Sequence, residues 1–87
     1  MNDATTLEDR IIAIVAQVVP VKPEAIKMEH KLAADLGMDS VSSMEFLSML
    51  SEELNVDVEI EDVVNVKTVR DSVELARRFL AMRKSAS

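Results

Sequence analysis

Hydrophobic positions along the chain recur at helical spacing in three stretches, and nowhere do they alternate with polar ones for long enough to pair as strands. Leu7, Ile11, Ile14, Val15 and Val18 share one face of a first helix. It should begin near Thr5, where Thr5-Thr6-Leu7-Glu8 reads as a capping box, and stop at Pro20 and Pro23. A second helix is expected from Asp39 or Ser40 to about Leu54, with Asp39 as its N-cap and Asn55 beyond its end. At roughly 100° per residue, Phe46, Leu47, Leu50 and Leu54 form its core stripe, with Ser43 among them. Val41, Met44, Glu45, Ser48 and Glu52 fall on the opposite side, where two apolar residues serve no core.

The segments between are shorter. Val21 to Asp39 carries isolated hydrophobes, Val21, Ile26, Leu32 and Leu36, as expected of a long loop drawn across a core; Pro23-Glu24-Ala25-Ile26 fits a single helical turn. Val56-Asp57-Val58 alternates but is too short to pair. Glu59 to Asn65 is expected as a short third helix with Ile60 and Val63 or Val64 on its apolar side. The last helix should run from Thr68, capped with Asp71, to about Met82, burying Val69, Val73, Ala76, Phe79 and Leu80, with Lys84 to Ser87 frayed. The expectation is an all-α four-helix bundle of three longer helices and one short third helix, forming a single domain over 1–87 with an ordered core about 5–82.

Composition narrows the function. The chain of 87 residues holds one glycine, two prolines, two Phe, no Trp and no Tyr, so its core is Leu, Ile, Val and Met. Such a chain has little room for a deep catalytic pocket beside its own core. A net charge of −6 disfavours nucleic acid, and zero Cys removes disulfide and thiolate chemistry. The start MNDATTLEDR is not read as a signal peptide, and no apolar run is long enough for membrane insertion, so a cytoplasmic protein is expected.

Charge is segregated. Between Lys31 and Lys67 there is no Lys or Arg, while Asp35, Asp39, Glu45, Glu52, Glu53, Asp57, Glu59, Glu61 and Asp62 lie there; Lys67, Arg70, Arg77, Arg78, Arg83 and Lys84 then make the last helix basic. Acids around Val41 and Met44 suit a partner that offers basic residues around an apolar pocket. His30 has no second His or Cys to join it, which favours loop packing over catalysis or metal binding. Asp57, Glu59, Glu61 and Asp62 lack the glycine and ligand order of an EF-hand, so no metal site is expected.

The most informative segment is Leu32-Ala33-Ala34-Asp35-Leu36-Gly37-Met38-Asp39-Ser40-Val41. Gly37 permits a sharp turn, and Ser40 then stands at a helix N-terminus, where the dipole favours negative charge such as a phosphodiester. From these residues alone, Asp-Ser before an amphipathic helix reads as a helix cap far more readily than as a modification site. The segment resembles the Asp-Ser-Leu box of acyl carrier proteins, here Asp39-Ser40-Val41 after Leu36-Gly37-Met38. Met44-Glu45-Phe46-Leu47 with Leu50 is similar to that family's recognition helix, Glu52 to Val58 to the segment that ends it, and Val66-Lys67-Thr68-Val69 to the approach to the last helix.

That resemblance implies 4′-phosphopantetheine attached to Ser40 by a phosphopantetheinyl transferase, with Asp39 and Gly37 around the attachment point. It implies acyl groups carried as thioesters, and no catalysis by the chain itself. It also implies docking of acyl-transferring, condensing or acyl-activating enzymes with basic patches on Val41, Met44, Glu45, Glu52, Glu61 and Asp62 of a monomer. Ser42, Ser43, Ser48 and Ser51 stand where fatty-acid-synthesis members carry more acids, so fatty acid, polyketide and specialised lipid synthesis all stay open. Two alternatives remain: an unmodified acidic adaptor for a basic partner, and a carrier of amino acids loaded by an adenylating enzyme.

Overall fold

A computed structural model describes residues 6–86, with side chains through residue 82. Among these residues the elements are α1 (Leu7–Val18), a 3-10 turn (Pro23–Ala25), α2 (Ser40–Leu54), α3 (Ile60–Val63) and α4 (Val69–Ala86). The protein is all-helical, as its periodicity predicts. α1 packs against both α2 and α4, and α3 lies against α4.

Each boundary has a local cause. The cap of α1 is Thr6 and not Thr5, which lies outside the described residues. Thr6 Oγ1 accepts the Asp9 amide at 3.1 Å, while the Thr6 amide donates to the Asp9 carboxylate at 3.4 Å. Thr5–Glu8 and Thr6–Asp9 share the same spacing, so spacing alone does not separate them. α2 ends at Asn55, whose left-handed backbone (φ 55, ψ 44) turns the chain away. α4 opens with reciprocal bonds between Thr68 and Asp71, 3.1 Å each way. It continues to Ala86, past the expected end at Met82 and through part of the segment expected to fray.

Ile11, Val15, Leu50, Leu54, Val69 and Val73 form the centre of the core, and Phe46 joins them at 3% exposure. Val19 is buried just beyond the end of α1. α4 buries Ser72 and Leu75 beside its expected stripe, while Phe79 and Leu80 are half-buried. Ser72 is tolerated because its hydroxyl donates to the Thr68 carbonyl one turn back, at 3.4 Å. The one ion pair among the described residues joins Arg10 of α1 to Glu53 of α2, with Nε to Oε2 at 2.6 Å. Being partly exposed, it is worth about 0–1 kcal/mol.

The connection from α1 to α2 is pinned in two ways. Ile26, Leu32, Leu36 and Met38 are buried in the core. The backbone also pairs with the approach to α4 through an isolated antiparallel bridge between Lys31 and Thr68. The Leu32 amide donates to the Lys67 carbonyl at 2.8 Å, the Val69 amide to the His30 carbonyl at 3.0 Å, and the Arg70 amide to the Met28 carbonyl at 2.9 Å. His30 Nδ1 accepts the Lys27 amide at 3.0 Å, a loop-packing role.

α3 departs from expectation. It is a single four-residue turn; of the apolar side expected for it, Val63 packs against the core, whereas Ile60 and Val64 are 59% and 66% exposed. Val58 before it fills the core instead, its amide held by Ser51 Oγ at 3.2 Å. A helix this short has too few positions to orient a whole face by periodicity.

Phe46→Ala removes a buried side chain from the centre of α2 and should destabilise the fold by about 3–5 kcal/mol. Equilibrium denaturation measures it, and a loss of less than about 1 kcal/mol would show that this side chain does not anchor α2.

Candidate functional site at the start of α2

The loop that ends at α2 finishes in a tight turn. The Leu36 amide returns to the Lys31 carbonyl at 3.1 Å, the Gly37 amide to Ala33 at 3.1 Å, and the Met38 amide to Leu32 at 2.9 Å. Gly37 has φ 80, in the left-handed region that glycine enters without strain. A Cβ there would meet nothing within 4 Å, so the requirement is one of backbone conformation and not of space. Leu36 and Met38 point into the core on either side of Gly37, which brings Asp39 and Ser40 to the surface at the first turn of α2.

The two residues then divide their roles. Asp39 Oδ1 accepts the Ser42 amide at 2.9 Å and the Ser42 hydroxyl at 3.0 Å. These bonds, the amide's above the hydroxyl's, hold the Asp39 carboxyl below its ordinary value. Asp39 therefore caps the helix and already places a negative charge at its N-terminus. Ser40 takes no part in the cap. Its exposed hydroxyl has no hydrogen-bond partner among the described residues. The dipole argument for an anion on Ser40 is weakened, because Asp39 occupies the same end with like charge. Accessibility and the adjoining cleft favour the site more strongly.

That cleft, about 650 Å³, runs from Ser40 between α2 and α3. Its walls are Met44, Leu47, Ile60, Val63 and Val64, with Ser43 and Met38 at the base and Asp39 and Glu61 at the rim. The exposed Ile60 and Val64 are thus one wall of an apolar trough that opens at a free hydroxyl. Periodicity could not reveal this, because the trough exists only once α3 is set opposite α2.

The other residues singled out in the sequence separate into groups. Val41 and Met44 are 67% and 55% exposed on the outer side of α2, beside exposed Glu45. Glu61 stands across the cleft on α3, and Glu52 is exposed near the far end of α2. Asp62 is half-buried and its Oδ2 accepts the Glu59 amide at 2.9 Å, so its carboxylate first caps α3. No group of three or more His, Cys, Asp or Glu among the described residues is placed to hold a metal ion.

Comparison with known proteins gives the family. A family model described as "Phosphopantetheine attachment site" matches residues 9–76. The acyl carrier protein of Thermosynechococcus vestitus is 36% identical over 81 residues, covering 93% of this chain and 99% of its own length. Acyl carrier proteins from two strains of Rickettsia bellii are 33% and 34% identical over 73 residues, 84% of this chain and 85% and 90% of theirs.

The chain belongs to the acyl carrier protein family.

As a member of that family it is a carrier of acyl groups and not a catalyst, and its cofactor is 4′-phosphopantetheine. The residues at the start of α2 fit the group: a free, exposed hydroxyl opens onto a largely apolar cleft. Among the described residues no helix is long and apolar enough to cross a membrane.

The Asp39 cap has a pH signature. A carboxyl whose folded value is lowered contributes stability that is present above the ordinary carboxylate range and is lost as pH falls through the lowered value. Asp71 behaves alike, held down first by the Lys67 amide and then by the Thr68 amide. Asp39→Asn should therefore be less stable than the wild type near neutral pH, and the gap should close as the solution is acidified below the carboxylate range. Denaturation across that range measures it; a gap independent of pH would show that the Asp39 charge does not hold the cap.

Proposed function

We propose that Ser40 is the attachment point of the phosphopantetheine arm, and that this chain, as a single domain, presents acyl thioesters to partner enzymes of fatty acid, polyketide or specialised lipid synthesis. One observation carries the assignment. Asp39 does the capping, which leaves the Ser40 hydroxyl exposed and unbonded at the lip of the cleft. A serine whose purpose was to cap would spend its oxygen on the Ser42 or Ser43 amide.

In the transfer, Ser40 Oγ forms a bond to the phosphorus of the coenzyme A pyrophosphate. It loses its proton to the phosphopantetheinyl transferase, while the nucleotide portion departs with the broken phosphoanhydride bond. Asp39 holds the first turn of α2, which fixes where Ser40 emerges while its hydroxyl stays free. Gly37 sets the turn that brings it to the surface. The arm, once attached, supplies the thiol that the chain lacks and holds acyl groups as thioesters. The apolar lining of Met44, Leu47, Ile60, Val63 and Val64 excludes water from what lies against it.

Partner selection is assigned to the outer side of α2 and to α3. Val41 and Met44 offer exposed apolar surface beside Glu45, with Glu61 across the cleft and Glu52 further along α2 adding negative charge. Asp62 contributes less, being engaged with the Glu59 amide. Transferase, condensing and acyl-activating enzymes with basic patches fit this face, and their binding weakens as salt screens the rim. The protein acts as a cytoplasmic monomer on this reading.

Incubation with coenzyme A and a broad-specificity phosphopantetheinyl transferase, followed by intact-mass measurement, tests the anchor. The wild type should gain one phosphopantetheine and Ser40→Ala none; no gain by the wild type with several transferases would overturn the assignment. Met44→Glu and Glu45→Arg should each slow turnover by a partner enzyme about tenfold or more, the equivalent of about 1.4 kcal/mol, with unchanged helicity. Unchanged turnover in both would place docking on another face.

A further inference from the structure

The α2–α3 cleft is not the only cavity within reach of Ser40. A second, about 280 Å³, lies where the loop pairs with the approach to α4. Its lining includes Ala33, Ala34, Met38 and Ser43, with Lys31 and Lys67. Met38 and Ser43 line both cavities, so the two share a wall one helical turn from Ser40. A flexible arm on Ser40 has both on offer.

Their chemistries differ. The first cavity has aliphatic walls and only carboxylates, Asp39 and Glu61, for charged groups. It repels an acyl group that ends in a carboxylate. The second has a floor of small and aliphatic residues and two lysines on its lining. The backbone bridge holds their segments side by side, with the Leu32 amide on the Lys67 carbonyl at 2.8 Å. Neither ammonium has a carboxylate partner among the described residues. Asp35 and Asp71 are close in the chain, but each turns an Oδ2 to a backbone amide, of Lys31 at 2.7 Å and of Lys67 at 3.0 Å. Neither carboxylate lines the cavity. The Ser43 hydroxyl on the shared wall also has no hydrogen-bond partner among the described residues, and it is free to donate to a thioester carbonyl.

We infer that the Lys31–Lys67 cavity is a second resting place for the cargo, selective for short acyl groups that end in a carboxylate, while neutral aliphatic groups lie between α2 and α3. The inference rests on Ser40 being the anchor. Two anions could meet the lysines, the terminal carboxylate of the cargo or the phosphodiester of the arm itself. The cargo is the source proposed here: the phosphodiester stays at Ser40, beside Asp39, whereas the far end of the arm can reach across the shared wall.

The test loads the full chain from coenzyme A, butyryl-coenzyme A and succinyl-coenzyme A with the same transferase, and confirms each product by intact mass before any spectrum is taken. Failure to load from coenzyme A with several transferases would sink the Ser40 assignment itself; the remaining outcomes bear only on the cavity. Amide chemical shifts are then compared among the unmodified chain and the three loaded forms. Relative to the free-thiol form, the succinyl form should shift Ala33, Ala34, Ser43 and Lys67, and the butyryl form should shift Leu47, Val63 and Val64. The succinyl-specific shifts should be lost in Lys31→Gln/Lys67→Gln, which keeps both backbone bonds, and should shrink as salt is raised. The inference is overturned if succinyl and butyryl shift the same residues, if the double variant leaves the succinyl shifts intact, or if Ala33, Ala34 and Lys67 have already moved fully in the free-thiol form, which would assign the lysines to the phosphodiester.

Discussion

Three backbone hydrogen bonds between the long loop and the approach to α4 hold the whole arrangement: Leu32 to Lys67, Val69 to His30 and Arg70 to Met28. A connection as long as that between α1 and α2 carries many polar backbone groups and a large ordering cost. These bonds satisfy part of the first and anchor the chain against the second, while Leu32, Leu36 and Met38 bury their side chains on the same segment. Once that segment is fixed, the Gly37 turn has one place to go, and Ser40 emerges at the surface at the head of a capped helix. The same pairing brings Lys31 and Lys67 onto one cavity.

At the head of α2 the division of labour between Asp39 and Ser40 matters more than the helix dipole. The carboxylate takes the Ser42 amide and hydroxyl, so the helix end is satisfied before any modification takes place. On the proposed attachment at Ser40, modification would cost the fold no cap. The carrier needs that independence, because its cargo changes while the surface recognised by partners must not. Val41 and Met44 illustrate the other half of the requirement. Val41 stays in water on the side of α2 away from Phe46, Leu50 and Leu54, and Met44, more than half exposed, gives its remaining surface to the cleft.

Much of this was legible in the amino-acid order, and what was not has a common cause. Long stripes such as Phe46–Leu50–Leu54 and Val69–Val73–Ala76 report burial well, because several turns of consistent spacing leave one orientation for the helix. The cap of α1 slipped from Thr5 to Thr6 because two pairs with equal spacing compete. Of the pair Val63 or Val64, Val63 is the one that packs on the core, while Ile60 stays exposed because one turn of helix does not determine a face; the exposure of Ile60 and Val64 becomes meaningful only as a wall of the cleft. Ser72, a polar residue on a buried position, is explained by a bond to the Thr68 carbonyl that periodicity does not contain. The loop pairing with α4 joins positions far apart in sequence, and local pattern carries no trace of it. The Asp39-Ser40-Val41 segment was conspicuous from the start and Asp39 is the cap expected there; what the amino-acid order does not carry is that the Ser40 hydroxyl is left unbonded at a cleft.

The placement of the arm is tested most directly by finding it on the chain. After enzymatic loading, proteolysis and fragment sequencing by mass spectrometry should locate the phosphopantetheine on Ser40 alone, with Ser42, Ser43, Ser48 and Ser51 unmodified. An arm on any of those neighbours, or a mixture among them, would contradict the claim that the free hydroxyl beside the Asp39 cap is what the protein offers.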